Sequence, residues 1–263
     1  GTGDILINAE TLMKLIAIEP KEILEGGDML VYEKTKENHQ YIMCVDVSKG
    51  RGQDYSTFTV IDITEHPFKQ VAVYRCNTIS PILYPDIIYK YATSYNNAYV
   101  IIESNDQGTL VTRGLYHDLE YENMHVSSAL KSDGLGIEIT RKTKRLGCSG
   151  IKDIIESEKL VINDTNTIME ISTFVAKGQS YEASDGNHDD IMMNLVMFGY
   201  FALTEMFQDM TDINLKEMMF KDRMQSIEED LVPFGFIDDA SDIIDHYEKE
   251  EHPWAIDYAH QHF

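Results

Sequence analysis

The sequence predicts an α/β protein in which helices cover both faces of a mixed sheet. Three short apolar segments follow one another closely between residues 41 and 76, as expected for antiparallel strands joined by hairpins. From residue 84 onwards, apolar segments of strand length alternate with segments of helical periodicity, as expected for parallel strands. A segment near residue 190 is apolar on every side, which indicates a buried helix. These patterns favour three antiparallel strands followed by parallel ones.

The first three strands are predicted from runs rich in β-branched and aromatic residues. The run over residues 41–47 is nearly continuous, which is typical of a strand buried on both faces. Residues 57–63 follow after a polar, glycine-containing loop, and residues 70–76 follow the breaker His66-Pro67. The connections are short enough for each successive pair to form a hairpin.

The remaining elements alternate between helix and strand. Helices are predicted over residues 84–95, 108–118, 148–157, 165–174 and 188–205, and strands over residues 98–103, 124–128 and 160–163. Proline before the first of these helices and asparagines after it mark its two ends. A basic turn is predicted immediately before the third helix.

The chain divides into three predicted regions. Residues 1–39 form a short amphipathic lead-in with a helix near residues 9–18, residues 40–207 form the α/β domain, and residues 208–263 form an acidic C-terminal tail. The tail has weak periodicity and dense acidic residues, so we interpret it as an appendage or a partner-binding segment. The chain starts Gly1-Thr2-Gly3, without a Met or a signal-peptide pattern, and we expect an excised fragment or the remnant of a tag.

Composition excludes several classes of protein. Of the 263 residues, 43% are hydrophobic, which is enough for a buried core and excludes an intrinsically disordered chain. No run of about 18 apolar residues occurs, so a membrane-spanning helix is not predicted. The cysteines are odd in number and far apart, which favours a reducing compartment. The formal net charge of −23 argues against extensive contact with nucleic acid, because Lys and Arg are the residues that bind phosphates.

Carboxylates end or begin three of the predicted elements. Asp46 lies near the end of the first strand, and Glu103 closes the fourth. If these strands are parallel neighbours, both side chains emerge at the carboxyl edge of the sheet, where α/β proteins usually place their chemistry. Asp189 and Asp190 open the last buried helix, whose N-terminus favours anions. Periodicity does not choose between them, because that helix is apolar on every side.

Each of these acids also has a purely structural interpretation. Acids in the first turn of a helix often cap it, and acids at strand ends often just reach solvent. Asp46 is harder to explain in this way, because a loop with a further acid, Asp54, folds back beside it. Convergence of the acids at one edge favours a hard metal ion, since Mg²⁺ prefers oxygen ligands. Carboxylates that hold two Mg²⁺ ions are a recurring apparatus for cutting phosphodiesters.

Three motifs resemble one protein family in particular. Residues 46–55 (DVSKGRGQDY), 100–103 (VIIE) and 188–191 (HDDI) resemble the nuclease domain of the large terminases of tailed phages, of the T-even type. The resemblance runs over about residues 40–205 and includes residues 77–80, 118–121 and 147–148. The first and third motifs are long and specific, whereas the strand that ends in Glu103 would be weak alone.

The resemblance implies a ribonuclease-H-like fold and a metal-dependent endonuclease with little sequence specificity. Such an enzyme cuts concatemeric double-stranded phage DNA at the initiation and termination of genome packaging. Asp46, Glu103 and Asp190 would be the catalytic metal ligands, with Asp54 and Asp189 near the site as further candidate ligands. The cofactor would be Mg²⁺, for which Mn²⁺ can substitute. The implied partners are double-stranded DNA, the portal and the small terminase subunit, in the cytoplasm of the infected bacterial host.

The ATPase motor of the family is not predicted in this chain. The sequence has no Gly-x-x-x-x-Gly-Lys-Ser/Thr phosphate loop, so we expect the nuclease part alone, with the terminase ATPase domain absent from this chain. Two other functions remain open as alternatives. One is a non-enzymatic acidic docking module of a packaging machine. The other is an actin/sugar-kinase-like ATPase, which shares the opening of three hairpin-connected strands with an Asp and a Gly-rich loop.

Basic residues cluster in two places despite the acidic composition. Such clusters are more often solvated turns than nucleic-acid sites, but their isolation in so acidic a chain favours contact with the DNA backbone. We therefore predict contacts with DNA phosphates at Lys49, Arg51, Arg141, Lys142, Lys144 and Arg145.

Overall fold

The computed structural model of the chain describes residues 4–127, 134–178 and 180–212. The predicted acidic tail lies outside the described residues, apart from residues 208–212, and so does the end of the strand predicted over residues 124–128. The described residues form one large sheet with helices packed on it and a separate two-stranded hairpin.

In the described residues, the main sheet has seven strands. They are β1 (Glu22–Leu24), β2 (Met29–Val31), β3 (Tyr41–Asp46), β4 (Ser56–Asp62), β5 (Phe68–Cys76), β6 (Tyr99–Ile102) and β7 (Leu160–Val161). Their order is β1-β2-β5-β4-β3-β6, with β7 paired to β5. β4 is antiparallel to both β3 and β5, whereas β6 runs parallel to β3 and β7 parallel to β5. The predicted mixed sheet is confirmed.

Helices cover both faces of this sheet. In the described residues they include α1 (Ala9–Lys14), α2 (Tyr84–Ser94), α3 (Gly108–Arg113), α4 (Arg141–Glu156), α5 (Thr165–Thr173) and α6 (Asp190–Phe201), and α3 continues into a π-helical turn over Gly114–Asp118. On one face α4, α5 and α6 pack with Ile42 and Cys44 of β3, and on the other face α2 and α3 pack with Met43 and Val45. Because successive strand residues point to opposite faces, a strand covered on both sides must be apolar at nearly every position. This is why the run over residues 41–47 predicts its strand so clearly.

The helix α6 is buried all round, as predicted, and lies very close to α4. A Cβ atom on Gly147 would lie 2.3 Å from the carbonyl oxygen of Val196, and one on Gly150 would lie 2.2 Å from that of Gly199. Only glycine leaves room for this close approach of the two backbones. The crossing therefore fixes the position of α6 relative to α4. Although α6 is apolar, no helix in the described part of the chain is long and apolar enough to cross a membrane.

The lead-in contributes to the sheet, which the sequence did not predict. No strand is predicted in the lead-in, but residues 22–24 and 29–31 form β1 and β2, and β2 pairs with β5. Each strand has only three residues, too few for an alternating pattern to be recognised. The predicted helix near residues 9–18 is shorter, since α1 ends at Lys14 and Leu15 is extended. The domain division between residues 39 and 40 stays a prediction, although the sheet extends across it.

Two segments near the sheet differ from expectation. In the segment predicted as a fifth strand, Met124 and Val126 each form only a single bridge, so the described part of that strand is not a ladder. An unpredicted antiparallel hairpin forms from β8 (Phe174–Lys177) and β9 (Ser180–Ala183). Its strands are short and partly exposed, so they lack the apolar run that marks the central strands.

The predicted basic turn is wrong, because its residues form the first turn of a helix. α4 begins at Arg141, whereas the sequence predicted a start near Cys148. The Thr140 hydroxyl caps the helix by accepting the Thr143 N–H at 3.2 Å. A first turn composed of polar and basic residues has no apolar face, so periodicity gave no sign of it.

Candidate functional site

The acids that end β3 and β6 meet at one edge of the sheet, because the two strands are parallel neighbours. The register pairs Val45 with Ile102, so Asp46 and Glu103 come next in their strands. The Glu103 N–H donates to the Val45 carbonyl at 3.0 Å, which continues the pairing up to the acid itself. The two carboxyl groups share a hydrogen bond. The strand pairing therefore brings these two acids into contact.

Burial and like charge make these two carboxyl groups difficult to ionise together. The pKa of Asp46 is raised well above its usual range because the carboxyl is desolvated and lies beside Glu103, and Asp190 raises it further. The pKa of Glu103 is also raised, chiefly by burial, although the hydrogen bond from Asp46 and the Lys144 ammonium oppose this. In the absence of a cation, burial and mutual repulsion therefore disfavour ionisation of both carboxyl groups at once.

Asp190 joins this edge from the first residue of α6. Its carbonyl oxygen accepts the Thr57 hydroxyl at 3.0 Å, and its carboxylate accepts the Tyr55 N–H. Burial raises the pKa of Asp190 to about 6, with Tyr55 and His188 opposing and the exposed Asp54 adding to the shift. The carboxylate oxygen Oδ2 lies 3.5 Å from His188 Nδ1, yet it is buried and accepts no hydrogen bond in the described structure.

Asp189 does not cap α6 with its side chain, so the capping interpretation is wrong for this acid. Its Oδ2 atom accepts the Ala183 N–H of β9 at 3.3 Å and lies 4.0 Å from Lys144 Nζ. The Lys144 side chain is only 18% exposed, and its ammonium also lies 5.5 Å from the centre of the Phe174 ring. Asp189 and Lys144 thus form an ion pair beside the other acids.

Glu170 of α5 caps α6 instead, and sequence reasoning missed it. Its Oε2 atom accepts the N–H groups of Ile191 and Met192 at 2.7 and 2.9 Å. The residue is 5% exposed, and burial raises the pKa of its carboxyl to about 7. The only sign in the sequence is a lone acid within an otherwise uncharged helix, and such an acid is normally exposed.

The loop between β3 and β4 carries three of the predicted site residues. Lys49, Arg51 and Asp54 are all exposed. Gly50 has a positive φ of 64°, and a Cβ atom there would lie 2.2 Å from the Ile79 carbonyl oxygen. Glycine is therefore required for the loop to approach residues 77–80. The loop is held against this neighbouring segment and connects two antiparallel strands, as the hairpin interpretation predicts.

The basic residues at the start of α4 do not all face the same way. Arg141, Lys142 and Arg145 are exposed, whereas Lys144 turns inward to Asp189. A DNA contact at Lys144 is therefore not supported by its position. The other three lie on the turn of helix that borders the carboxylates.

The clustered carboxylates suit a divalent cation. Within the described residues, no three His, Cys, Asp or Glu side chains already stand in a closed ligating arrangement. The site nevertheless offers buried carboxylate oxygens, one of which, Oδ2 of Asp190, accepts no hydrogen bond, and a repulsion between acids that a cation would relieve. Asp46, Glu103 and Asp190 are the residues that would hold such an ion.

One family matches most of the domain. Residues 43–198 match the family described as the terminase RNaseH-like domain, which is more than half of the chain. The matched segment begins within β3 and ends within α6, so it contains all three candidate ligands.

Solved structures of phage terminase nucleases share this fold. The crystal structure of the large terminase nuclease from thermophilic phage G20c matches 77% of this chain and 100% of that chain, with a TM-score of 0.58 and 20% identity. The same nuclease with bound cobalt matches 76% and 98%, with a TM-score of 0.60 and 21% identity. The large terminase nuclease domain of Thermus phage P74-26 matches 71% and 90%, with a TM-score of 0.55 and 23% identity. The predicted ribonuclease-H-like fold is confirmed.

Proposed function

Because the chain belongs to the terminase RNase H-like domain family, as its motifs indicated, we propose that it is a metal-dependent endonuclease that cuts double-stranded phage DNA. The expected reaction is cleavage of concatemeric DNA at the initiation and termination of genome packaging, with little sequence specificity. The observation that supports this most directly is the convergence of Asp46, Glu103 and Asp190 from three separate elements at one edge of the sheet.

The three acids have distinct roles in this proposal. Asp46 and Asp190 hold the metal ions, and Glu103 completes the ligand set or orients the attacking water. Cation binding requires Asp46 and Glu103 in their ionised forms, since metal ligands must be deprotonated, and the cation offsets the repulsion that raises their pKa values. Mg²⁺ is the proposed cofactor and Mn²⁺ a substitute, and the G20c nuclease has been crystallised with bound magnesium. When bound, two such ions activate water for attack on the phosphodiester and stabilise the departing 3′ oxygen.

DNA approaches this edge of the sheet over a mixed surface. Exposed Arg141, Lys142 and Arg145 on α4, with Lys49 and Arg51 in the loop after β3, contact backbone phosphates. The net charge of −23 predicts weak intrinsic affinity for DNA. Targeting therefore depends on the terminase ATPase domain, the portal and the small terminase subunit, in the cytoplasm of the infected host.

Incubation of supercoiled plasmid with the protein tests this function directly. We expect nicked and linear plasmid with Mg²⁺ or Mn²⁺ and intact plasmid with EDTA. Intact plasmid under all conditions would favour the docking module, and ATP hydrolysis by this chain alone would favour the actin/sugar-kinase-like alternative. Sequencing of the cut ends then measures the sequence preference of cleavage, which we expect to be small.

The exposed basic residues of α4 give a separate prediction about DNA binding. Replacing Arg141, Lys142 and Arg145 together with Ala should weaken DNA binding for all sequences alike. The slope of log affinity against log salt should become shallower by about one unit for each DNA phosphate that the variant no longer binds. Electrophoretic mobility shifts at several salt concentrations measure this slope.

A matched control removes the same amount of charge elsewhere. Lys34, Lys36 and Lys90 are exposed and lie away from α4 in the sequence, and their replacement by Ala should leave the salt dependence as in the wild type. Equal slopes for both triple variants would mean that the α4 residues are merely solvated.

A further inference from the structure

We propose that Glu170 is a positioning residue of the candidate metal site: from α5 it holds the first turn of α6 and so determines where the Asp190 carboxylate meets a cation. The inference rests on the proposed function, because it concerns the presentation of a metal ligand. Glu170 belongs to none of the three motifs that resemble the family, and its Oε2 atom contacts the backbone of α6.

The peptide N–H groups that follow Asp190 find their partner outside α6. The first turn of a helix has N–H groups without partners inside the helix. In α6 the N-cap side chain, Asp189, accepts none of them. Glu170 Oε2 accepts those of Ile191 and Met192 at 2.7 and 2.9 Å. The backbone directly after Asp190 is thus tied to a different helix by two hydrogen bonds.

Asp190 is also contacted by β4 and by the residue just before that strand. The Thr57 hydroxyl donates to the Asp190 carbonyl at 3.0 Å, and Asn194 Nδ2 donates to that hydroxyl at 3.0 Å. The Tyr55 N–H donates to the Asp190 carboxylate. Asp190 is therefore held from both β4 and Glu170.

Arg75 of β5 lies close to both Tyr55 and Glu170. Its guanidinium lies 3.4 Å from the centre of the Tyr55 ring, and its Nε atom lies 3.9 Å from Glu170 Oε1. Both Arg75 Nε and Glu170 Oε1 are buried, and neither has a hydrogen-bond partner in the described structure. Arg75 therefore packs against Tyr55, which donates to Asp190. It also faces Glu170, which caps α6.

The cap of α6 is unusual because it is supplied by a buried carboxylate, that of Glu170, from another helix. A buried carboxylate with an unsatisfied oxygen is unfavourable, whereas an Asp at the N-cap position normally caps its own helix at the surface. Here Asp189 occupies that position but turns to Ala183 and Lys144. Because Glu170 supplies the cap, Asp189 is released to face the site and Asp190 is held in place.

Substitutions that separate geometry from charge test this role. Glu170→Asp keeps the charge but shortens the side chain, so it cannot reach both N–H groups. Glu170→Gln loses the charge but keeps a carbonyl oxygen that can accept both. Ile88→Ala, in the core on the opposite face, is the matched control for a loss of stability without a shift at the site. Isothermal titration with Mn²⁺, at a temperature where each variant is folded, measures the dissociation constant.

We expect Glu170→Asp to weaken Mn²⁺ binding by about 10–100-fold, as for other groups that orient metal ligands. Glu170→Gln should retain most of the affinity, and Ile88→Ala should retain all of it despite a lower unfolding temperature. Wild-type Mn²⁺ affinity in Glu170→Asp, or equal weakening in Ile88→Ala, would overturn the positioning role and leave the proposed function standing. Failure of the wild type to bind Mn²⁺ would overturn both.

Discussion

Asp46→Asn and Asp190→Asn are each expected to reduce Mg²⁺-dependent plasmid cleavage by at least about 10³-fold, which corresponds to about 4 kcal/mol of lost transition-state stabilisation. Each substitution replaces a carboxylate oxygen by a neutral amide at a position where Mg²⁺ needs anionic oxygen ligands. Conversion of supercoiled plasmid under single-turnover conditions, with protein in excess, measures the rate.

Loss of cleavage is informative only if the fold survives. Asn has nearly the same volume as Asp, and it removes a like charge from a crowded set of acids. We therefore expect the unfolding temperature of metal-free Asp46→Asn to be unchanged or raised. Glu122→Gln is the matched control, because it removes one charge from an exposed acid and should cleave like the wild type. Rapid cleavage by either Asp variant would place the ligands elsewhere.

The same assay chooses between the adjacent acids that the sequence left unresolved. Asp189 Oδ2 already has partners in Ala183 and Lys144, whereas Asp190 Oδ2 is buried and accepts no hydrogen bond in the described structure. Asp189→Asn should therefore reduce cleavage much less than Asp190→Asn. A larger loss for Asp189→Asn would reverse the assignment made from the family motif.

The pairing of Asp46 with Glu103 could be predicted from the sequence because it follows from strand geometry. A strand buried on both faces is apolar at nearly every position, so a carboxylate at its end is conspicuous. Parallel neighbouring strands end at the same edge, so the two acids had to meet if the strands were adjacent. The family motifs then connected Asp190 to them, although nothing in its own helix distinguished it from Asp189.

The contacts of Glu170 and Lys144 could not be predicted in the same way. Glu170 lies 20 residues before Asp190 in the sequence, in a different helix, and reaches α6 only because the two helices pack side by side. In the sequence, nothing distinguishes Lys144 from the three exposed basic residues near it. It lies beside Asp189 because α4 and α6 pack closely together. Both contacts depend on tertiary packing, about which local periodicity carries no information.

The stability of the metal-free protein is expected to depend strongly on pH. We expect the metal-free protein to lose about 3 kcal/mol of unfolding free energy between pH 5 and pH 8, a large fraction of the stability of a typical domain. Saturating Mg²⁺ at pH 8 should restore a similar amount, since a ligand at 100 times its dissociation constant stabilises by about 2.7 kcal/mol. Thermal unfolding in EDTA and in Mg²⁺ measures both, and shifts of roughly 5–10 °C are expected.

The direction of this pH dependence follows from the raised pKa values. The pKa of Asp190 rises from its ordinary value of 3.8 to about 6, and that of Glu170 from 4.5 to about 7. Between the ordinary and the raised value, the unfolded chain has lost the proton that the folded chain keeps. Stability from these groups is therefore complete below about pH 4 and is lost as the pH rises to about 7. A bound cation reverses this trend, because it binds the ionised carboxylates.

General repulsion in so acidic a chain also lowers stability as the pH rises, so the test needs variants of equal charge. Asp190→Asn and Glu122→Gln each remove one acid, but only Asp190→Asn removes a buried one. We expect Asp190→Asn to be more stable than the wild type at pH 8 in EDTA and close to it at pH 5, with a weakened response to Mg²⁺. Asp46→Asn should respond to Mg²⁺ much less than the wild type for the same reason. Glu122→Gln should follow the wild type throughout, and identical pH and Mg²⁺ responses in all four proteins would show that the clustered acids do not bind the cation.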